Sequence, residues 1–377
     1  SSSINGAAAT ILSQLSYNEI GQLRTKAVGN GLNTTTHSYN ERGWLTNLSN
    51  NNVGFSETLK YNNPEIGTIA QYNGNIANQL YNNGASNVFS YTYDKLNRLI
   101  NSTATGLGEQ ISYDVMGNIT QMVREGYGTN NYTGYNGNQL TAISGFTNGG
   151  YTYDDNGNVK TGPEGLSLTY NYLNLPSTAT KTNTGLSSSY VYDATGQKLR
   201  KQSNLDGTSD YVSGIHYENN SIAFIQTEEG RALAAGGGNY NYQYNLNDHL
   251  GNVRVSFWRN PNSQSLEVVQ QDNYYAFGLR KAVSGISPDN KYLYNGKELQ
   301  NGLDQLDYGA RFYDPVIGRW NVVDALAEKY AFASPYNYVL NNPLKYIDPD
   351  GNDIILSITK KKQGNHSEVQ VKSTMNL

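Results

Sequence analysis

The sequence predicts an all-β protein assembled from repeated hairpins, and three observations support this fold class. Only 37% of the 377 residues are hydrophobic and the mean hydropathy is -0.62, so a thick conventional core is not expected. The 32 tyrosines and 39 glycines separate the chain from disordered sequences, which are poor in aromatic residues. A short motif that starts with tyrosine recurs about every twenty residues. Together these features predict a thin, tyrosine-rich sheet.

The repeated motif reads Tyr, Asp or Asn, two further residues, Gly, a polar residue and an aliphatic residue. Clear copies begin at Tyr17, Tyr39, Tyr113, Tyr153 and Tyr192, and looser copies begin at Tyr61, Tyr93, Tyr135 and Tyr170. Tyrosines two positions apart, such as Tyr151 and Tyr153, share one face of a strand. The Asp or Asn and the Gly then form a turn, as in residues 154–158, so each repeat is predicted to be a hairpin. Because a single hairpin is marginal in water, the hairpins must pair edge to edge.

Composition also limits the partners and the chemistry. Charged residues make up 15% of the chain, the net charge is -4 and the pI is about 5.6, so no nucleic-acid partner is expected. The absence of cysteine excludes disulfides, thiolate metal sites and cysteine nucleophiles. No apolar run approaches the roughly eighteen residues of a membrane span. The chain starts with neither Met nor a signal-peptide pattern, so we expect a fragment of a longer protein whose targeting signal lies outside it.

A denser block of motifs follows the repeats. It includes residues 248–254 (Asp-His-Leu-Gly-Asn-Val-Arg), 274–278 (Tyr-Tyr-Ala-Phe-Gly), 294–298 (Tyr-Asn-Gly-Lys-Glu), 309–315 (Gly-Ala-Arg-Phe-Tyr-Asp-Pro) and 348–351 (Asp-Pro-Asp-Gly). The repeats and this block resemble the YD repeats and the repeat-associated core domain of the RHS family. That family includes polymorphic bacterial toxins and the C component of insecticidal Tc toxins, and it is similar to the teneurin shell. The resemblance covers residues 11–351.

The resemblance implies part of a large hollow shell, in which YD-repeat hairpins form a spiralling sheet that a core-associated domain closes. Residues 1–240 would be the repeats, 241–351 the core-associated domain, and 352–377 the start of a variable C-terminal region or a cargo remnant. A sheet with a wet lumen on one face would explain the low hydrophobicity. The repeats are too few for a complete shell, so we expect only its C-terminal part.

The resemblance also implies an intramolecular aspartyl protease that cuts the chain just after its Asp-Pro-x-Gly motif. The matching positions are Arg311, Asp324 and Asp348, and the expected scissile bond joins Asn352 to Asp353. Such chemistry uses two carboxylates that share one proton: the ionised one activates water and the protonated one polarises the carbonyl. Arg311 would hold one carboxylate ionised or orient it.

Two positions depart from the family pattern, and each site residue has a structural alternative. Ala325 replaces the usual Pro after Asp324, and Asn352 replaces a usual hydrophobic residue. Asp324 is also placed to cap a helix formed by Ala-Leu-Ala-Glu-Lys, and Asp348 is also placed to begin a turn. Arg311 could equally be a buried ion-pair partner.

No cofactor or metal is expected. The histidines at 37, 216, 249 and 366 lack metal-ligand spacing, and a structural role is favoured for His249 in its turn. Residues 154–158 favour a hairpin turn over a calcium loop, because Gly at the sixth and Glu at the twelfth position are missing.

These observations favour a structural protein, secreted by or exposed on bacteria, that encloses and releases a C-terminal cargo or toxin. Its chemistry would be at most one turnover of self-cleavage. The expected partners are its own C-terminal effector or cargo segment, upstream repeats of the full-length chain and secretion machinery. The alternatives are an adhesive module whose tyrosines bind glycans or proteins, and an ordinary enzyme such as a glycosidase. The 26 residues after Gly351 are too few for an enzyme, so they would be a truncated effector, a short cargo peptide or a remnant.

Overall fold

The computed structural model describes residues 10–50, 52–65, 67–284 and 290–356. Most of the described strands form two large antiparallel sheets in which each strand pairs with the next one along the chain. The predicted all-β class is confirmed. The first sheet contains thirteen strands: β1 (Ser13–Tyr17), β2 (Leu23–Val28), β3 (Asn33–Tyr39), β4 (Leu45–Asn50), β5 (Phe55–Lys60), β6 (Asn78–Asn83), β7 (Ser86–Tyr93), β8 (Leu99–Thr103), β9 (Glu109–Tyr113), β10 (Ile119–Arg124), β11 (Gly128–Asn136), β12 (Gln139–Gly145) and β13 (Gly149–Gly150).

The second sheet continues the same order with fourteen strands. They are β14 (Thr152–Tyr153), β15 (Val159–Gly162), β16 (Leu166–Tyr170), β17 (Pro176–Lys181), β18 (Leu186–Tyr192), β19 (Lys198–Ser203), β20 (Gly207–Val212), β21 (Ile215–Glu218), β22 (Ser221–Thr227), β23 (Gly230–Ala234), β24 (Tyr240–Asn247), β25 (Val253–Arg259), β26 (Leu266–Tyr274) and β27 (Arg280–Ser284). The antiparallel order therefore runs past residue 240, and the domain boundary there stays a prediction.

Residues 290–356, here called the C-terminal segment, carry only short elements. These are β28 (Glu298–Gln300), β29 (Gln305–Asp307), β30 (Phe312–Asp314) and β31 (Arg319–Trp320) in one sheet, and the pair β32 (Tyr346–Ile347) and β33 (Ile355–Leu356). The described residues also form four 3₁₀ turns: η1 (Pro163–Gly165), η2 (Tyr294–Gly296), η3 (Ala327–Tyr330) and η4 (Val339–Asn341). The predicted tail beyond residue 356 lies outside the described residues.

The predicted repeat turns form as expected, with Asp154 as an example. Its Oδ1 accepts the backbone N–H groups of Asn156 (3.0 Å) and Asn158 (2.9 Å), and Gly157 adopts a φ of 83°. Tyr153 at the end of β14 then pairs with Val159 at the start of β15. Because strands alternate in direction, successive repeat turns lie along the same rim of a sheet. We call this rim the turn rim.

The repeat tyrosine joins one hairpin to the previous one through its hydroxyl group. Seven of these hydroxyls donate to a main-chain carbonyl 11 to 17 positions earlier, at 2.6 to 2.9 Å. The pairs are Tyr39 with Leu23, Tyr61 with Leu45, Tyr93 with Ile76, Tyr113 with Leu99, Tyr135 with Ile119, Tyr153 with Leu140, and Tyr170 with Val159. In five of the seven pairs the acceptor belongs to the first residue of the strand that follows the earlier turn. The motif therefore links neighbouring units as well as forming each unit.

The C-terminal segment closes the turn rim. Its polar side chains donate to the carbonyls of successive turns: Asn342 to Asn97 (2.7 Å), Asn341 to Gly117 (2.8 Å), Arg319 to Asn138 (2.6 Å) and Tyr336 to Gly157 (2.7 Å). Each bond satisfies a carbonyl that no neighbouring strand can reach. The motif residues of the C-terminal block thus recognise the repeat turns.

The end of the second sheet also contacts the first sheet. The Nδ2 of Asn83, at the end of β6, donates to the carbonyls of Arg254 (3.2 Å) and Asp272 (3.0 Å) in β25 and β26. The Tyr275 hydroxyl donates to the carbonyl of Glu125, at 2.6 Å. These contacts join residues 150 to 189 positions apart, so the second sheet packs against the first.

The expectation of a thin sheet with one wet face needs correction in this part of the protein. One cluster of buried side chains spans both sheets and the C-terminal segment, and it includes Phe55, Tyr91, Leu140, Tyr313 and Trp320. The inner face is apolar where the C-terminal segment packs against it, because these rings exclude water from one another. Tyrosine supplies much of this core, which explains how a chain of low hydropathy builds one.

Candidate functional site

The candidate site lies where three loops of the C-terminal segment meet. Arg311 directly precedes β30, Asp324 follows β31, and Asp348 follows β32. The structure therefore brings together three side chains that the resemblance implied. Arg311 and Asp348 are 2% and 1% exposed and Asp324 is 8% exposed, so the group is nearly closed to solvent.

Arg311 contacts both carboxylates through one nitrogen. Its Nη2 lies 3.0 Å from Asp324 Oδ2 and 3.3 Å from Asp348 Oδ2. The guanidinium also lies 4.3 Å from the ring centre of Trp320. Stacking and ion pairing together hold this cation in place.

The two carboxylates do not share a hydrogen bond among the described residues. The Arg311 guanidinium contacts both carboxylates, and the sharing of one proton between them stays a prediction. Arg311 forms buried ion pairs with both carboxylates, and its orienting role in catalysis stays a prediction.

Asp348 uses its second oxygen to shape the turn before the predicted cut. Its Oδ1 accepts the N–H groups of Gly351 (2.7 Å), Asn352 (3.1 Å) and Asp350 (3.3 Å). Gly351 has a φ of 84°, and a Cβ there would lie 3.0 Å from the backbone nitrogen of Arg311. The turn interpretation of Asp348 is confirmed, and the same side chain faces Arg311.

Burial sets the electrostatics of this group. It raises the pKa of the Asp348 carboxyl to about 6, although the Arg311 charge opposes the shift. Burial also lowers the pKa of the Arg311 guanidinium, and Asp324 and Asp348 oppose that change. The raised pKa favours a protonated Asp348 more than an ordinary aspartate, and the predicted chemistry needs one protonated carboxyl.

The hydrogen bonds of the site reach the peptide unit just before the predicted scissile bond. Arg311 Nε donates to the carbonyl of Gly351 at 2.6 Å, while Asp348 accepts the N–H of Asn352. Among the described residues, no hydrogen bond reaches the carbonyl of Asn352. Asp353 pairs through its carboxylate with the Lys329 ammonium and lies 3.4 Å from the Tyr330 hydroxyl.

The helix-cap alternative for Asp324 is met only in part. Asp324 Oδ1 accepts the N–H of Leu326 at 2.7 Å, but the residues that follow form only the four-residue 3₁₀ turn η3 instead of an α-helix. The good helix formers are too few here, and short helices are marginal without packing.

Sequence reasoning gave Lys297 no role in the site, although residues 295–297 stood out as a motif. The Lys297 ammonium donates to the carbonyl of Pro349 and lies 5.2 Å from the ring centre of Tyr308. The Asn295 side-chain oxygen accepts the hydroxyls of Tyr308 (2.8 Å) and Tyr338 (2.5 Å). This motif therefore braces the turn that contains Asp348.

A second polar group, at His249, has donor atoms of the types that bind metals. Ligand atoms of Glu57, Asp248 and His249 lie within 4.8 Å of one another. However, Glu57 Oε1 is 2.8 Å from His249 Nδ1, and Asp248 Oδ2 accepts Arg254 Nε at 2.7 Å. These contacts favour a buried ion-pair network, in agreement with the structural role predicted for His249.

Comparisons with known proteins found relatives by sequence but no matching family model. Bacillus subtilis tRNA nuclease WapA is 25% identical over 361 residues, which cover 91% of this chain and 15% of that protein. Salivary gland surface protein 1 of Aedes aegypti is 35% identical over 114 residues, which cover 29% of this chain and 3% of that protein.

A solved structure covers nearly the whole chain. The Tc holotoxin pore of Photorhabdus luminescens, with a mutant TccC3, matches 96% of this chain and 20% of its own chain, with a TM-score of 0.72 and 19% identity. The chain has the fold of an RHS-type shell. The chain spans at most 15% of the length of the two relatives named above. In the described part of the chain, no helix is long and apolar enough to cross a membrane.

Proposed function

We propose that the chain is the C-terminal part of a secreted or surface-exposed bacterial RHS-type shell. The shell encloses a C-terminal cargo segment and separates it by one self-cleavage after the Asp-Pro-Asp-Gly motif. The observation that carries the proposal is the buried contact of Arg311 with both Asp324 and Asp348, one turn away from the predicted cut. The fold shared with a Tc toxin structure, and the similarity to WapA, support a toxin-related role.

The proposed reaction is hydrolysis of the bond between Asn352 and Asp353. Ionised Asp324 accepts a proton from a water molecule as the water oxygen attacks the carbonyl carbon of Asn352. Protonated Asp348 donates a hydrogen bond to the carbonyl oxygen and stabilises its developing charge. The carbon–nitrogen bond then breaks, the proton taken by Asp324 passes to the departing amine of Asp353, and Asn352 keeps the new carboxyl group. Arg311 orients both carboxylates.

Intact-mass measurement of the purified chain tests this proposal. We expect a new N-terminus at Asp353, and we expect Asp348→Asn and Asp324→Asn to leave the chain whole. Asp155→Asn is the matched control, because Asp155 is exposed in a repeat turn and should not affect cleavage. Recovery of only intact wild-type chain would overturn the proposal. A new N-terminus at Asn352 would instead place the cut at the peptide unit that Arg311 and Asp348 contact.

The adhesive alternative has less support from the geometry. It requires tyrosine rings on an accessible face, whereas seven repeat tyrosines use their hydroxyls inside the fold. A glycan array with the purified chain tests this alternative, and these engaged, at least part-buried rings predict no glycan binding.

A further inference from the structure

Two neighbouring residues of η3 hold the side chain that follows the predicted cut. The Lys329 ammonium pairs with Asp353 Oδ1, and the Tyr330 hydroxyl lies 3.4 Å from the same oxygen. The Lys329 ammonium also lies 5.4 Å from the centre of the Tyr330 ring, which is 7% exposed. The buried ring therefore gives the exposed cation a defined position.

The turn that carries Lys329 and Tyr330 is connected directly to Asp324. Asp324 accepts the N–H of Leu326 through its side chain at 2.7 Å and the N–H of Ala327 through its carbonyl at 3.1 Å. The N–H of Lys329 then donates to the carbonyl of Leu326 at 2.9 Å. One short hydrogen-bonded turn thus supplies both a carboxylate of the candidate site and the contact with Asp353.

The geometry points to Lys329 and Tyr330 as positioning residues that select an acidic side chain immediately after the cut. This inference rests on the proposed self-cleavage. Among the described residues, Lys329 forms its ion pair with Asp353 alone, so the pair is specific to the downstream side of the bond. Anchoring the Asp353 side chain restricts rotation of the peptide between Asn352 and Asp353, which must face Asp324. Restricting a reacting group in this way raises the rate of the reaction. A neutral or basic residue at position 353 would lose this anchor.

Charge reversal and charge exchange test the inference on the full chain. Each variant is made by cell-free synthesis, and intact mass at timed intervals gives the rate constant of cleavage. We expect Lys329→Glu and Asp353→Lys each to slow cleavage roughly fivefold, the upper range for an exposed ion pair. The double variant Lys329→Glu with Asp353→Lys should recover to within about twofold of wild type, because the pair re-forms with its charges exchanged. Lys95→Glu makes the same charge change at an exposed position away from the site and should cleave at the wild-type rate.

Asp353→Asn provides a variant of nearly unchanged shape, so a loss of rate there does not reflect misfolding. Its rate should fall by roughly threefold, and high salt should bring wild type towards it because exposed charges are screened. If wild type cleaves and Lys329→Glu or Asp353→Asn cleaves equally fast, the selection of an acidic residue is wrong and self-cleavage stands. If wild type does not cleave at all, the proposed function itself fails.

Discussion

Arg311 carries one positive charge between two buried carboxylates. The guanidinium can neutralise only one of them, so the other favours its protonated form. Burial raises the pKa of Asp348 to about 6, even though the Arg311 charge opposes the shift. Arg311 Nη1 has no hydrogen-bond partner among the described residues, so the cation is held through Nη2, Nε and the ring of Trp320. The site thus joins one cation to two buried carboxylates, one of which has a raised pKa.

The rate of self-cleavage should depend on pH through Asp348. The reaction needs its protonated form, and the protonated fraction is half at the pKa of about 6 and falls above it. We expect the rate constant to fall roughly tenfold between pH 7 and pH 8, and to be several times higher at pH 6 than at pH 7. Timed intact-mass measurements at constant ionic strength check this. A rate that rises with pH across this range would mean that ionised Asp348 is the active form.

At the scale of single elements, the repeat motif has two separate tasks. The Asp or Asn and the Gly shape the turn within one hairpin, whereas the tyrosine hydroxyl bonds to the hairpin before it. Tyr113, at the end of β9, donates to the carbonyl of Leu99 at 2.6 Å, and its ring lies 4.8 Å from the Arg98 guanidinium. Phenylalanine would retain the ring packing but lose the hydrogen bond, which explains why the motif uses tyrosine.

Tyr113→Phe should lower the free energy of unfolding by about 1 to 2 kcal/mol, because the carbonyl of Leu99 loses a donor in a part-buried position. Tyr172→Phe is the control, since Tyr172 is 80% exposed, and its effect should stay within about 0.5 kcal/mol. Urea unfolding followed by tyrosine fluorescence or circular dichroism measures both changes. Equal effects of the two substitutions would contradict a linking role for the hydroxyl.

At the scale of the whole molecule, buried charge ties the C-terminal segment to the sheets. Arg124 in β10 is fully buried, pairs with Glu109 at 2.6 Å, and donates to the carbonyls of Pro315 (2.9 Å) and Val316 (2.8 Å). Glu109 in turn accepts the N–H of Phe277 at 3.1 Å. One ion pair thus joins the first sheet, the turn after β26 and the C-terminal segment.

Arg124→Met should be among the costly substitutions in this chain. It leaves the Glu109 carboxylate buried without its cation, which costs about 3 to 5 kcal/mol of unfolding free energy. Adding Glu109→Gln should restore part of that loss, because the unpaired charge is removed. The matched control is Arg200→Met, which breaks the exposed pair with Asp210 and should cost far less than Arg124→Met. Urea unfolding at neutral pH measures the stability of these three variants. Similar losses for Arg124→Met and Arg200→Met would contradict the proposal that the Arg124 ion pair joins the C-terminal segment to the sheets.

Local sequence was sufficient to predict the hairpins, their antiparallel order and the turn at residues 154–158, because alternation and turn chemistry act over a few residues. The family resemblance was sufficient to select Arg311, Asp324 and Asp348. Tertiary contacts decided the rest: the apolar inner face, the closure of the turn rim, and the placement of Arg311 against both carboxylates and the carbonyl of Gly351. Those contacts join residues from 13 to more than 200 positions apart, as in the bond from Asn341 to Gly117. A motif read along the chain cannot specify which distant carbonyl or charge a side chain will meet, since that depends on how the sheets coil.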